Sequence, residues 1–267
     1  MTVRCRLRLL TLLCCLLALA GCARRMPVTE ALAPAAHQEA TALFAEFVSR
    51  RPPAVLDADL HLTWEFLGVK GGVDATVQLQ QPARIRFSAN DPLGRALSLL
   101  VSDGLSFTMV DNRAGKVYRG TTDSKFWHTR VPEAVQAEDL LPLLAGSGPA
   151  GGPADVQPAG DGMGAGFWYL WTDARAFRHH MLLERHSGRL LRHLLVDRSG
   201  KQVLDLIYAE YAPGEGGFAW PGRVEVAGEA VGGSVVLRFD KVFSRESLPA
   251  STFQLTPPAH FTIEEVD

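Results

Sequence analysis

A chain of 267 residues with 47% hydrophobic and 21% charged residues can bury a sizeable core and is too apolar to be disordered. Its net charge of −2 excludes the broad basic surface that nucleic acid requires. The four cysteines, Cys5, Cys14, Cys15 and Cys22, all lie in the first 22 residues, so the rest of the chain can form neither a disulfide nor a thiolate metal site.

Arg4, Arg6 and Arg8 precede an apolar run from Leu9 to Ala20, the basic-then-apolar pattern of a secretory signal. The run of about 12 residues is too short to span a bilayer core of roughly 30 Å as a helix, which takes about 20. It ends in Leu19-Ala20-Gly21-Cys22. Small residues before a cysteine let a peptidase take the extended chain, and the thiol can receive a diacylglyceryl group. The four residues resemble the bacterial lipobox, which implies cleavage before Cys22 and lipidation of that residue. Removing residues 1–21, with their three arginines, leaves 246 residues and takes the charge from −2 to −5. Such a mildly acidic body would be held at a membrane by acyl chains, of which one binds marginally and two or more bind stably. Ala23 after the cysteine favours the outer membrane, facing the periplasm, by resemblance to enterobacterial sorting.

Residues 22–33 read as a tether, and residues 34–267 as a single domain. Ala40, Leu43, Phe44 and Phe47 recur at helical spacing, so a helix is predicted from Pro34 to about Arg51, stopped by Pro52-Pro53. Period-two alternation follows: Leu60, Leu62, Trp64 and Phe66; then Val73, Ala75, Val77 and Leu79; then Ile85 and Phe87. It predicts three antiparallel strands with one oily face, turning at Gly71-Gly72 and Gln81-Pro82. Strands are expected at 97–101, 105–110 and 116–119, and a helix from Val135 to Leu144. The Gly/Pro-dense stretch 146–166 reads as a flexible loop. A second meander runs from about Phe167 to Phe243, with hairpin turns at Asp197-Arg198-Ser199-Gly200 and Gly232-Gly233.

The fold class expected is mainly β with two or so helices. Ten or eleven antiparallel strands would twist into an open, incomplete β-barrel lidded by the helices. The strand Arg84–Asn90, the loop Asp91-Pro92-Leu93-Gly94, the stretch Phe107–Tyr118 and the following leucine-bearing helix resemble, in that order, the outer-membrane lipoprotein receptor LolB and the wider LolA/LolB-like lipoprotein-localisation group. The resemblance implies an apolar cavity for lipoprotein acyl chains, a LolA-like periplasmic carrier as partner, and a loop, Pro92-Leu93-Gly94, whose leucine puts lipoproteins into the membrane. Leu60, Leu62, Trp64, Phe66, Val77, Leu79, Ile85 and Phe87 would line the cavity. Leu93 could instead fold back on the core as a turn staple, and a filled core shows the same oily alternation as a hollow one.

No catalytic motif is present; neither G-x-S-x-G nor H-E-x-x-H occurs, and no cofactor is implied. His179 and His180 are adjacent in a strand pattern, so their rings point to opposite faces and suit no shared metal. Asp57 and Asp59 share a strand face, where a solvated edge is the expected role rather than a carboxylate pair. Trp64, Phe167, Trp168 and Trp171 fit a lipid cavity or a plain core equally. A non-catalytic, monomeric acyl-chain receptor is the first expectation, a protein-interaction scaffold of the same fold the second, and an envelope hydrolase the last.

Overall fold

In a computed structural model the described residues are 26–148, 153, 155–214 and 217–267. The segment expected to be a signal peptide and Cys22 lie outside them. Strand β1 (Thr29–Glu30) and helix α1 (Pro34–Ser49) come first. A meander follows: β2 (Val55–Phe66), β3 (Val69–Gln80), β4 (Arg84–Asn90), β5 (Ala96–Ser102), β6 (Ser106–Asp111) and β7 (Lys116–Thr121). Two short helices, α2 (Lys125–His128) and α3 (Leu140–Leu144), separate it from a second meander. That one comprises β8 (Gln157–Asp161), β9 (Gly166–Thr172), β10 (Arg178–Glu184), β11 (Leu190–Val196), β12 (Gln202–Ala209), β15 (Arg223–Gly228) and β16 (Gly233–Phe243). The pair β13 (Ala212–Pro213) and β14 (Ala219–Trp220) stands apart, and β17 (Thr262–Glu265) is the last strand.

Fifteen strands form one sheet in the order β1-β8-β9-β10-β11-β12-β15-β16-β2-β3-β4-β5-β6-β7-β17. The two meanders join where β16 pairs with β2. The sheet curves without closing, as the alternation predicted, and β1 and β17 are its free edges. The C-terminal segment crosses the outer face, where Leu248 N–H donates to Gln80 Oε1 and Arg86 donates to the Thr252 carbonyl. It then adds β17 in parallel to β7.

Register sets which residues share the concave face. Leu60 pairs with Ala75, Leu56 with Leu79, and Leu79 with Ile85, so alternate residues of β2, β3 and β4 point the same way. Helix α1 covers one half of this face: Ala40, Phe44 and Phe47 pack on Tyr169, Trp171, Met181 and Leu190. Tyr169 Oη donates 2.8 Å to the Ala40 carbonyl, pinning helix to sheet. The segment carrying α2 and α3 covers the other half, with Trp127, Ala137, Leu141 and Ala145 on Leu56, Leu60, Val77, Leu79 and Ile85. Each such buried large side chain contributes about 1.5–3 kcal/mol.

Several elements differ from the sequence-based expectation. Thr29 and Glu30, placed in the tether, pair with Asp161 and Gly160. The supposed loop 146–166 contains β8, because the open edge of β9 presents backbone groups that even a Gly/Pro-rich segment can satisfy. The first hairpin turns at Leu67-Gly68, and Gly71-Gly72 lies inside β3. The helix expected over 135–144 is a 3-10 turn at Ala137–Asp139 followed by α3, since Pro142 has no N–H to donate to residue 138.

The hairpins place the loops on two rims. The upper rim holds the turns between β2 and β3, β4 and β5, β11 and β12, and β15 and β16; the lower rim holds those between β8 and β9, β10 and β11, and β5 and β6.

Candidate functional site

The eight residues expected to line a cavity divide into two groups. Leu60, Val77, Leu79 and Ile85 are fully buried beneath the helical cover and form solid core. Leu62, Trp64, Phe66 and Phe87 lie closer to the upper rim and are only half-buried. With Leu100 and Leu237, which share their face through the pairs Phe87–Leu100 and Leu62–Leu237, they form a half-buried apolar row above the solid core, the candidate trough. Leu100 and Leu237 escaped sequence reasoning, because their strands were recognised without a register to join them to β2 and β4.

Two glycines shape the trough floor. Gly71 pairs with Trp64, and a Cβ on Gly71 would stand 2.3 Å from the indole Cζ2. Gly233 pairs with Phe66, and a Cβ there would stand 2.2 Å from the Glu65 carbonyl oxygen and 2.5 Å from the Phe66 ring. Both rings thus occupy space that a neighbouring side chain would fill, so they lie along the sheet instead of standing up to close the trough.

Pro92, Leu93 and Gly94 form the β4–β5 turn at the upper rim. Leu93 is 78% exposed, so it does not fold back as a staple. Asp91 fixes the turn: one carboxylate oxygen accepts from the backbone N–H of Leu93 and Arg95 at 2.9 Å each, and the other from Arg95 Nε at 2.7 Å. The Arg95 side chain, with these backbone bonds, holds the Asp91 carboxyl below its ordinary range. Gly94, at φ +77°, supplies the left-handed residue that reverses the chain. On the next hairpin of the same rim, Leu67 is 99% and Val69 67% exposed. Leu67 has φ +48°, a conformation unfavourable for a branched side chain.

No protein-family model and no curated protein matches the chain. Among the solved structures that superpose over most of it are the following three. A DUF1329 family protein from Desulfovibrio piger does so with TM-score 0.55 and 12% identity, over 82% of this chain and 96% of its own. A domain described as an outer-membrane lipoprotein-sorting protein, from Vibrio parahaemolyticus, gives 0.54 and 12%, over 81% and 97%. A LolA superfamily protein from Nitrosomonas europaea gives 0.52 and 13%, over 81% and 97%. The fold is LolA-like. The expected resemblance is thereby borne out at the level of fold on its LolA side; none of these three structures is described as LolB.

Within this LolA-like sheet a second group of polar residues lies on the concave face beside α3. His179 Nδ1 is 3.0 Å from His193 Nε2, and His179 Nε2 is 3.3 Å from an Asp173 carboxylate oxygen. The Trp171 indole stacks on the His179 ring, with centroids 4.6 Å apart. Burial lowers the pKa of both histidines, His193 most strongly, against the pull of Asp173 on His179. A cavity of about 50 Å³ adjoins the pair, lined also by Arg175 and Ser147, with room for a few waters and not for an acyl chain. His180 is buried on the opposite face, as adjacency in a strand requires. Among the described residues no group of three His, Cys, Asp or Glu side chains could hold a metal.

The remaining candidates resolve as follows. Phe167 and Trp171 belong to the core beneath α1, whereas Trp168 packs with Leu182 and Leu194 in a separate cluster. Asp59 is exposed, but Asp57 is buried and accepts from Gln78 Nε2 at 3.0 Å and Arg245 Nε at 2.9 Å. Asp57 is therefore no part of a solvated edge; the C-terminal segment that supplies Arg245 covers it. Among the described residues no helix is long and apolar enough to cross a membrane.

Proposed function

We propose that this protein is a lipid-anchored envelope protein, held at the outer membrane through Cys22, that takes an acyl chain of a lipoprotein into the trough and passes it on. The observation that supports this reading best is the half-buried row Leu62, Trp64, Phe66 and Phe87 on the concave face of a LolA-like sheet. Each methylene of a chain lying there would contribute about 0.8 kcal/mol. In this reading Leu93 and Leu67 flank the mouth and are the first side chains to meet a carrier or a lipid surface, and delivery into the outer membrane follows through that rim.

The test is uptake. A Cys22→Ser chain, which cannot be lipidated, should bind a fluorescent fatty-acid probe and should release co-purifying lipid on extraction. A chain that binds no probe and carries no lipid removes this function. The solid core around Leu60, Val77, Leu79 and Ile85 then favours a second reading, a tethered scaffold for other envelope proteins, which predicts crosslinked protein partners without lipid.

A further inference from the structure

The large hydrophobic side chains left exposed gather largely at the two rims. Leu67, Val69 and Leu93 stand on the upper rim; Val28, at 76%, and Met163, at 94%, stand at the lower one. Val28 and Met163 are neighbours, since Thr29 pairs with Asp161 and the Gly162 N–H points at the Val28 carbonyl, 3.4 Å away. Cys22 is six residues before Val28, a link of at most about 21 Å when fully extended. The twelve residues of β2 rise about 40 Å. The chain therefore leaves the domain toward Cys22 at the lower rim, and that link is shorter than the longest strands.

The lower end also carries cations. Arg51 and Arg189 line one cleft with Arg50, itself paired with Glu46, between the start of β2 and the β10–β11 hairpin, and Arg24-Arg25 stand between Cys22 and Met26 in the sequence. Exposed aliphatic side chains on the same rim as arginines suit a phospholipid surface with anionic headgroups. We infer that the lower rim, through Val28 and Met163, rests on the bilayer that holds the Cys22 lipid, so that the trough mouth with Leu67 and Leu93 faces away from that bilayer. This rests on the anchoring reading above. Delivery into the same bilayer then requires the domain to turn over, or β1 to release its two-residue pairing.

The mature chain has no cysteine other than Cys22, whose thiol the lipid blocks, so a single new cysteine can be labelled selectively. Met163→Cys and Leu93→Cys, both highly exposed positions, each carry an environment-sensitive dye on the lipidated chain in vesicles of four parts phosphatidylethanolamine to one part phosphatidylglycerol. With nitroxide-labelled lipid, the dye at 163 should be quenched several-fold more than the dye at 93. Equal quenching at both sites, or stronger quenching at 93, overturns the orientation. Mass spectrometry of the same preparation separates the two claims. An unmodified Cys22 sinks the anchoring reading and the orientation with it, whereas a lipidated chain with the dye at 163 unquenched sinks the orientation alone.

Discussion

His179 Nδ1 and His193 Nε2 lie 3.0 Å apart on the concave face, so one ring must donate and the other accept. If His179 donates through Nε2 to Asp173, its Nδ1 is the acceptor and His193 donates through Nε2. His193 Nδ1 is then a bare lone pair, in agreement with its having no partner in the protein although buried. With both rings neutral the two hydrogen bonds of this network are made, and burial lowers both pKa values below 6.5. The unfolded chain takes up protons near pH 6.5 that the folded chain refuses. Stability is accordingly full above that pH and falls below it. A loss of roughly 1–3 kcal/mol between pH 7.5 and 5.5 is expected from these two groups. Urea unfolding at the two pH values measures it. In His193→Gln, which keeps a donor and does not titrate, the difference should shrink; an unchanged difference would place its origin elsewhere.

Gly71 and Trp64 are the pair that keeps the trough open. Gly71→Val forces the indole off the floor, because the new Cβ and the ring cannot share one space. A loss of about 1–3 kcal/mol is expected from the overpacking. Probe uptake should fall further than stability does, since the displaced ring stands in the trough. A variant of normal stability and normal uptake would show that the ring position is irrelevant to binding.

The two meanders were legible in the sequence because alternation reports which strands have one oily face. The trough was not. Leu60 and Leu62 look alike in the chain; only the helix laid over Leu60 and not over Leu62 distinguishes core from site. The glycines of β3 looked like a turn for a related reason. Gly71 is small because Trp64, seven residues earlier, lies across it, and that contact exists only after the strands are in register. His193 is not apparent in the chain because it meets His179 diagonally across a hairpin, opposite Met181, whereas His180, the visible neighbour, points the other way. Leu93 was legible because its turn is local: Asp91, Gly94 and Arg95 fix it within five residues.

The Asp205–Arg192 pair tests the opposite face. Asp205 is 1% exposed and accepts from Arg192 Nε at 2.9 Å and Nη2 at 3.0 Å. Asp205→Ala removes the carboxylate and leaves a partly buried guanidinium against β12. A loss of about 1.5–3 kcal/mol is expected, the range for losing a hydrogen bond to a charged group. Acyl-probe uptake by the folded fraction should be unchanged, because the pair lies behind the trough. A drop in uptake at full occupancy of the folded state would tie the two faces together.

Leu67 stands in a left-handed conformation with its side chain in water, so it is unfavourable on two counts. Leu67→Asn suits the turn better and should raise stability by about 1 kcal/mol. If the mouth meets a lipid surface or a carrier through this side chain, the same variant should transfer acyl cargo more slowly while binding it normally. Leu93→Glu should act in the same direction and more strongly, because it places a charge on the neighbouring hairpin without touching the trough. Transfer from a loaded donor to acceptor vesicles, followed beside equilibrium probe binding, gives the two quantities separately. Slower transfer with intact binding in both variants is the expected outcome. Unimpaired transfer in Leu93→Glu would leave the exposed turn without a role in delivery, and a loss of binding in either would mean that the mouth and the trough are one site.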